Sequence, residues 1–216
     1  MKKLRLLLWL FVPTFCHAQD TIQIHHTYYS STFIRSKHIP FLVKYTLTKQ
    51  MLDCDEHLKR KNFFTTDPEL HKETELNKDY KTSGYDKGHC MPAEDNDCST
   101  TGMTECFYYS NIFPQAPSLN RGIWKALENK EREEANEFGS VEVFIGYYGI
   151  AGYIGADSVA VPEYCWKVIY ANGKYQAYIF PNTDNASNDL TIFKTTISEI
   201  AKKTNISFFK CRDTSD

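Results

Sequence analysis

The stretch LNRGIWKALENKEREEANEFGSVEVFIGYYGI, residues 119–150, changes its period once, and that change decides the fold class. Leu119, Ile123, Leu127 and Phe138, with Trp124 beside them, recur at helical spacing, while Lys125, Glu131, Arg132, Glu133 and Glu134 fill the other positions. Gly139 stands where a helix C-cap belongs. The spacing predicts a helix over 119–138. From Val141 to Ile150 the chain turns to Val, Ile and aromatic residues, the composition of a strand. Val159 to Tyr170 and Tyr175 to Phe180 read the same way, with Asn172-Gly173 turning a hairpin between them. Ile39 to Leu47 predicts a further strand and Thr195 to Lys203 a second helix. Asp53 to Tyr80 is polar and broken by Pro68, and Gly84 to Cys90 is a short extended piece with two glycines. The expected class is α+β: a mixed, mostly antiparallel sheet with flanking helices.

The chain has 216 residues, 42% of them hydrophobic and 14% aromatic, with 25 Lys+Arg against 27 Asp+Glu. That balance excludes wholesale disorder. The long apolar run, Leu6 to Phe15, contains Pro13 and is too short to cross a bilayer, which takes about 20 residues. Lys2, Lys3 and Arg5 precede it and Ala18 follows, so residues 1–18 read as a secretory signal peptide, against a retained anchor or a lipidated Cys16. Cleavage would leave one domain, residues 19–216, with no repeat or linker and no stable membrane association. Losing three basic side chains takes the formal charge from −2 to −5, so a polyanion would have to be held by a local cluster of cations. The expected location is exported, periplasmic or extracellular.

Six cysteines remain after position 18: Cys54, Cys90, Cys98, Cys106, Cys165 and Cys211. In an exported chain an even number reads as disulfides, with Cys90, Cys98 and Cys106 close enough for one short bridge. Zinc is the competing reading, disfavoured because seven residues separate each of these three from the next, rather than the two of C-x2-C. Among the histidines, His25 and His26 fall in a terminal segment expected to be loose, and His38, His57 and His71 lie among polar residues with no nucleophile or metal partner nearby in sequence. His89 differs: it follows Asp86-Lys87-Gly88 at the end of an extended segment, a titratable ring beside a cation.

About thirty residues further on, amides and a carboxylate collect at a helix start. Asn120 and Glu128 are eight positions apart, about 80° around a helix, so both can face one site while Ile123 and Leu127 face the core. On the helix pattern alone Asn120 reads first as an N-cap, and Glu128 could instead make a surface ion pair with Arg132 at i+4.

Three blocks together carry a resemblance: Tyr85-Asp86-Lys87-Gly88-His89-Cys90-Met91-Pro92-Ala93, Ser110-Asn111-Ile112-Phe113-Pro114-Gln115, and Leu119-Asn120-Arg121-Gly122-Ile123-Trp124 with Leu127-Glu128. In order and spacing they resemble the DNA/RNA non-specific endonuclease family, that of the Serratia-type nucleases and endonuclease G. Arg60 with Phe63, Phe64 and Asp67 resembles the family's upstream Arg block, and the likeness runs over roughly residues 25 to 210. Two positions depart from the pattern. Lys87 replaces an Arg, keeping the charge but losing the bidentate fork, and Cys90 replaces a small apolar residue.

The resemblance implies a ββα-metal active site and a sugar-non-specific endonuclease that leaves 5′-phosphate ends. In that reading His89 is the general base and Asn120 the direct ligand of one Mg²⁺, for which Mn²⁺ can substitute, with Glu128 reaching the ion through water. Arg60, Lys87 and Arg132 would hold substrate phosphates, and Asp86, Asn111 and Gln115 would brace the site. DNA and RNA are the expected partners, and a homodimer is compatible with the family. Competing readings are a metal-dependent phosphodiesterase on small nucleotides, a non-catalytic nucleic-acid-binding relative, and a disulfide-stapled structural domain.

Overall fold

Alternation along the strands builds the centre of the molecule. In the computed structural model, which describes residues 20–207 apart from 61, 71–73, 75, 185 and 186, Cys165, Lys167 and Ile169 point to one face of a sheet and Trp166 and Val168 to the other. All five are buried, because both faces are covered. The leader at 1–18, His71 and Cys211 lie outside the described residues.

The sheet has seven strands: β1 (Thr21–His25), β2 (Tyr29–Ile34), β3 (Ile39–Thr48), β6 (Ser140–Ile154), β7 (Val159–Ala171), β8 (Lys174–Pro181) and β9 (Lys194–Thr195), in that spatial order and antiparallel throughout. Between β3 and β6 the chain makes a second, two-stranded sheet from β4 (Asp86–His89) and β5 (Ile112–Gln115). The helices are α1 (Lys49–Leu52), α2 (Asn77–Tyr80), α3 (Thr100–Glu105), α4 (Pro117–Leu119), α5 (Lys125–Phe138) and α6 (Ile197–Thr204).

The larger core joins Val43, Tyr45, Val143, Ile145 and Ile169 of the sheet to Phe113 of β5 and to Trp124 and Leu127 around the start of α5. Trp124 meets Phe113 and Phe180 edge-on, with centroids 6.2 and 5.6 Å away. Truncating such a ring to alanine costs about 3–5 kcal/mol. The opposite face, with Phe144, Trp166, Val168 and Ala177, is covered by Ile200 of α6.

Asn172 and Gly173 both have positive φ, 46° and 76°, the hairpin turn that an Asn-Gly pair favours, and Gly139 ends α5 at φ 89°. The predicted strands and both helices are present. Two expectations are corrected. Residues 21–34, expected to be loose around His25 and His26, form β1 and β2, and His26 Nε2 lies 2.9 Å from Asp67 Oδ2. The cysteines form one bridge among the described residues, Cys54–Cys98; Cys90, Cys106 and Cys165 are free and buried, so the short bridge among Cys90, Cys98 and Cys106 is not made.

Candidate active site

β4 and β5 pair antiparallel, Asp86 opposite Gln115 and His89 opposite Ile112, and β5 runs through Ala116 into the helical stretch 117–138. This is a ββα unit lying on one face of the large sheet. Asn182 ties it there: its Oδ1 accepts from Ala116 N–H at 2.7 Å, and its Nδ2 donates to Pro114 O and Pro162 O at 3.0 and 2.9 Å. Gly88 is required by close approach, since a Cβ there would lie 2.8 Å from the Gln115 Cβ. Gln115 thus braces β4 by packing. Asn111 braces it by hydrogen bonds, accepting from Met91 N–H at 2.9 Å and donating to Met91 O and Cys106 O at 2.8 and 2.9 Å.

A cleft of about 800 Å³ opens beside this unit, lined among others by Arg60, Phe64, Asp86, Lys87, His89, Asn120, Arg121 and Glu128. Lys87 and His89 share a face of β4 by its period of two. The His89 ring packs against Phe64 and Phe107, centroids 5.3 and 5.0 Å away, is 6% exposed, and its Nε2 is buried without a hydrogen-bond partner. Burial, with the charge of Arg60 adding to it, pulls His89 down to about 3, so the ring is neutral across the physiological range. Lys87 Nζ lies 4.8 Å from the Phe64 centroid and 5.6 Å from that of Tyr80, cushioned by aromatic faces. Arg60 donates to Asn62 Oδ1 at 2.8 Å and to Glu94 Oε1 at 3.3 Å at the cleft rim.

Asn120 is not an N-cap. Its N–H bonds Ala116 O at 2.9 Å inside the helical run, which begins at Pro117, and residues 120–124 make a π-turn kinked at Gly122. Such turns re-aim side chains at functional sites. Asn120 Nδ2 donates to Asp86 Oδ2 at 2.9 Å, which leaves Oδ1 as the amide atom available to a cation. Arg121 grips the same carboxylate at 2.7 and 2.6 Å, and with these partners Asp86 stays ionised. Arg121 sits in the quoted block but had no expected role there, because its partner is 35 residues away and only the fold brings them together.

Glu128 is buried at the cleft wall without the i,i+4 pair to Arg132. Arg132 instead donates to Asp95 Oδ1 at 2.7 Å and Asn129 Oδ1 at 2.6 Å, and it is not among the described residues that line the cleft, so the structure does not bring it together with the other residues expected on substrate phosphate. Burial pushes Glu128 up to about 8; Lys167 and Arg132 oppose this, and Glu131 and Asp95 reinforce it. An amide oxygen and a carboxylate on one polar wall suit a hard divalent ion that keeps most of its waters.

The cleft therefore has two opposite pH signatures in stability. Unfolded, His89 takes a proton near 6.5, but folded only near 3, so stability is full above 6.5 and is lost as pH falls through that window. Unfolded, Glu128 releases its proton near 4.5, folded near 8, so its contribution is full below 4.5 and is lost as pH rises toward 8. Each slope is at most about 1.4 kcal/mol per pH unit. Melting curves in EDTA should show the alkaline slope flattened in Glu128→Gln and kept in wild type; equal slopes would contradict the burial argument.

Among the described residues, one cluster of metal-ligating side chains lies outside the cleft, at Cys54, His57, Asp97 and Cys98. His57, expected to have no such neighbours, has three.

Residues 11–215 match the family model described as DNA/RNA non-specific endonuclease. The chain belongs to that family. It is 31% identical over 214 residues to the human protein named nuclease EXOG, mitochondrial, covering 88% of this chain and 58% of that one. It is 32% identical to nuclease 1, mitochondrial, of Schizosaccharomyces pombe, covering 74% and 57%. A chain from the crystal structure of the EndoG/EndoGI complex superposes with a TM-score of 0.81 at 27% identity, covering 88% of this chain and 86% of that one. This non-specific endonuclease family member spans about half the length of the curated relatives it matches. Those relatives carry mitochondrial in their names, which overturns the expectation of an exported, periplasmic or extracellular protein.

Proposed function

We propose that the protein is a divalent-metal-dependent endonuclease that hydrolyses phosphodiester bonds of DNA and RNA and leaves 5′-phosphate and 3′-hydroxyl ends. The observation that carries this reading is the convergence of His89, Asn120, Glu128, Lys87 and Arg60, drawn from three separate stretches of chain, on one polar cleft beside the ββα unit. Asn120 Oδ1 would hold Mg²⁺ directly, Glu128 would act on it through water, and Mn²⁺ would substitute. When bound, the ion supplies positive charge for the phosphoryl oxygens and the leaving oxygen.

His89 acts as the general base toward the attacking water. Its neutral ring can accept a proton; burial is the main cause of its low basicity, and the smaller contribution, the charge of Arg60, is offset by a phosphodiester anion drawn in beside it. Lys87 gives a single point of charge to a phosphate, where an Arg would give two parallel hydrogen bonds. Arg60 extends that positive field along the backbone. Asp86 positions Asn120 by accepting from its Nδ2 and is itself held by Arg121. Contacts made to phosphate carry little base information, which suits both sugars and weak sequence preference.

The reading is tested by acid-soluble release from plasmid DNA and from RNA with Mg²⁺ or EDTA, followed by end-labelling of the products. Cleavage of both polymers, lost in EDTA, with 5′-phosphate ends, is the expected result; 3′-phosphate ends, or turnover of small phosphodiesters alone, would refute it. In Asn120→Ala the Mg²⁺ concentration for half-maximal rate should rise by at least about tenfold, since the ligand is lost without loss of the base. Superimposable Mg²⁺ titrations of the two proteins would remove Asn120 from the ligand role.

A further inference from the structure

The Cys54–Cys98 disulfide stands inside a larger donor set. Cys54 and His57 sit three residues apart in irregular chain, and Asp97 and Cys98 are adjacent on the segment facing them. His57 Nδ1 lies 3.8 Å from Cys54 Sγ, 4.0 Å from Cys98 Sγ and 2.8 Å from Asp97 Oδ1, and Cys98 Sγ is 3.8 Å from Asp97 Oδ1. All four donor atoms fall within 4.8 Å of one another. Tetrahedral zinc, with Zn–S of about 2.3 Å and Zn–N or Zn–O of about 2.0–2.2 Å, separates its ligand atoms by about 3.4–3.8 Å. The three sulfur–nitrogen and sulfur–oxygen spacings of 3.8–4.0 Å are near those edges; His57 and Asp97, at 2.8 Å, are at hydrogen-bond distance and must part slightly, and the two sulfurs are bonded to each other.

We infer that Cys54, His57, Asp97 and Cys98 form a thiol-gated zinc site, closed to metal as the disulfide and open to one Zn²⁺ when reduced. A dithiol reductant transfers two electrons and two protons to the bridge, breaking the S–S bond to give two thiols while the reductant becomes a disulfide. Zn²⁺ then displaces both thiol protons and takes two thiolates, one imidazole and one carboxylate. Two soft sulfurs with one nitrogen and one oxygen select zinc over the hard ion suited to the cleft. Little has to move. His57 is exposed, its flanking chain has no helix or strand to hold it, and the two sulfurs need only swing apart to a tetrahedral edge.

Either clip joins the same two segments. Leu58 N–H bonds Asp97 O at 2.7 Å beside the cluster, Arg60 follows two residues later, and Glu94, its partner, precedes Asp97. The site thus holds the root of the cleft's Arg60 rim in both redox states. Among the described residues the free cysteines, Cys90, Cys106 and Cys165, are buried elsewhere.

The full chain, reduced with a phosphine under anaerobic conditions, is titrated with Co²⁺ and then Zn²⁺. We expect one Co²⁺ per chain with the intense visible bands of a tetrahedral ion and thiolate-to-cobalt charge transfer, displaced by Zn²⁺. The oxidised chain, Cys54→Ser/Cys98→Ser and the exposed-site variant His57→Ala should each bind at least about 100-fold more weakly. Asn120→Ala should keep the bands, which separates this site from the cleft and this inference from the nuclease reading. If reduction unfolds the chain, Zn²⁺ should restore its circular dichroism. Absence of tetrahedral bands in the reduced chain, equal bands in the Cys54→Ser/Cys98→Ser variant, or no recovery of fold with Zn²⁺ would overturn the site.

Discussion

Replacing His89 with alanine is expected to lower the rate of DNA and RNA cleavage by about 10²–10⁴-fold while leaving a folded protein. The residue lines the cleft, carries the one imidazole among the described residues that do, and keeps a buried Nε2 with no hydrogen-bond partner among them, so the substitution removes the proton acceptor and strands no hydrogen bond among those residues. The ring does pack on Phe64 and Phe107, and its loss leaves a small void. Against that, the variant no longer carries a base that must charge as pH falls, so its melting temperature should decline less than wild type between pH 6.5 and pH 4. Initial rates at saturating DNA, with melting curves at three pH values, check both parts. A variant that keeps a tenth or more of the wild-type rate would show that another group takes the proton.

The largest loss of stability is expected from Lys167→Met, about 3–5 kcal/mol by urea unfolding. Lys167 is fully buried in β7, donates to Glu131 Oε1 of α5 at 2.9 Å, and lies 4.5 Å from the centroid of the Trp124 ring. The other Glu131 oxygen accepts from Tyr45 O–H at 2.9 Å. Removing the ammonium leaves a carboxylate in the core with one neutral donor, which is costlier than losing both charges together. Lys167→Met/Glu131→Leu should therefore recover a large part of the loss, less the Tyr45 hydroxyl left without its acceptor. A single-variant cost under about 1 kcal/mol would mean that the pair is hydrated. The consequence reaches the cleft, because Lys167 is the strongest influence drawing the Glu128 proton off against burial. Lys167→Met should thus also need a higher pH for full Mg²⁺-dependent activity.

Most of the fold was legible because its signals are local. The Leu119–Phe138 periodicity, the Gly139 stop, the Asn172-Gly173 turn and the Val/Ile/aromatic strands each depend on residues within a few positions of one another, and each is present. The quoted motif blocks likewise place His89, Asn120 and Glu128 on one cleft. β1 and β2 were missed because Thr, Ser, His and Tyr at a sheet edge carry a weak apolar alternation, and their order comes from pairing with β3.

What the sequence determined by itself was the α+β class and the residue types available for chemistry, since backbone preference and period are written into neighbouring side chains; the ββα unit was implied by the resemblance of the quoted blocks. What only the tertiary structure decided was partnership across distance. Cys54 joins Cys98 across 44 residues, Arg132 turns to Asp95 instead of the cleft, Arg121 clamps Asp86, and Lys167 meets Glu131 inside the core. Each of these is a contact between charges or sulfurs whose reach is a few ångströms, and a linear pattern holds no record of which segments the sheet and helices bring within that reach.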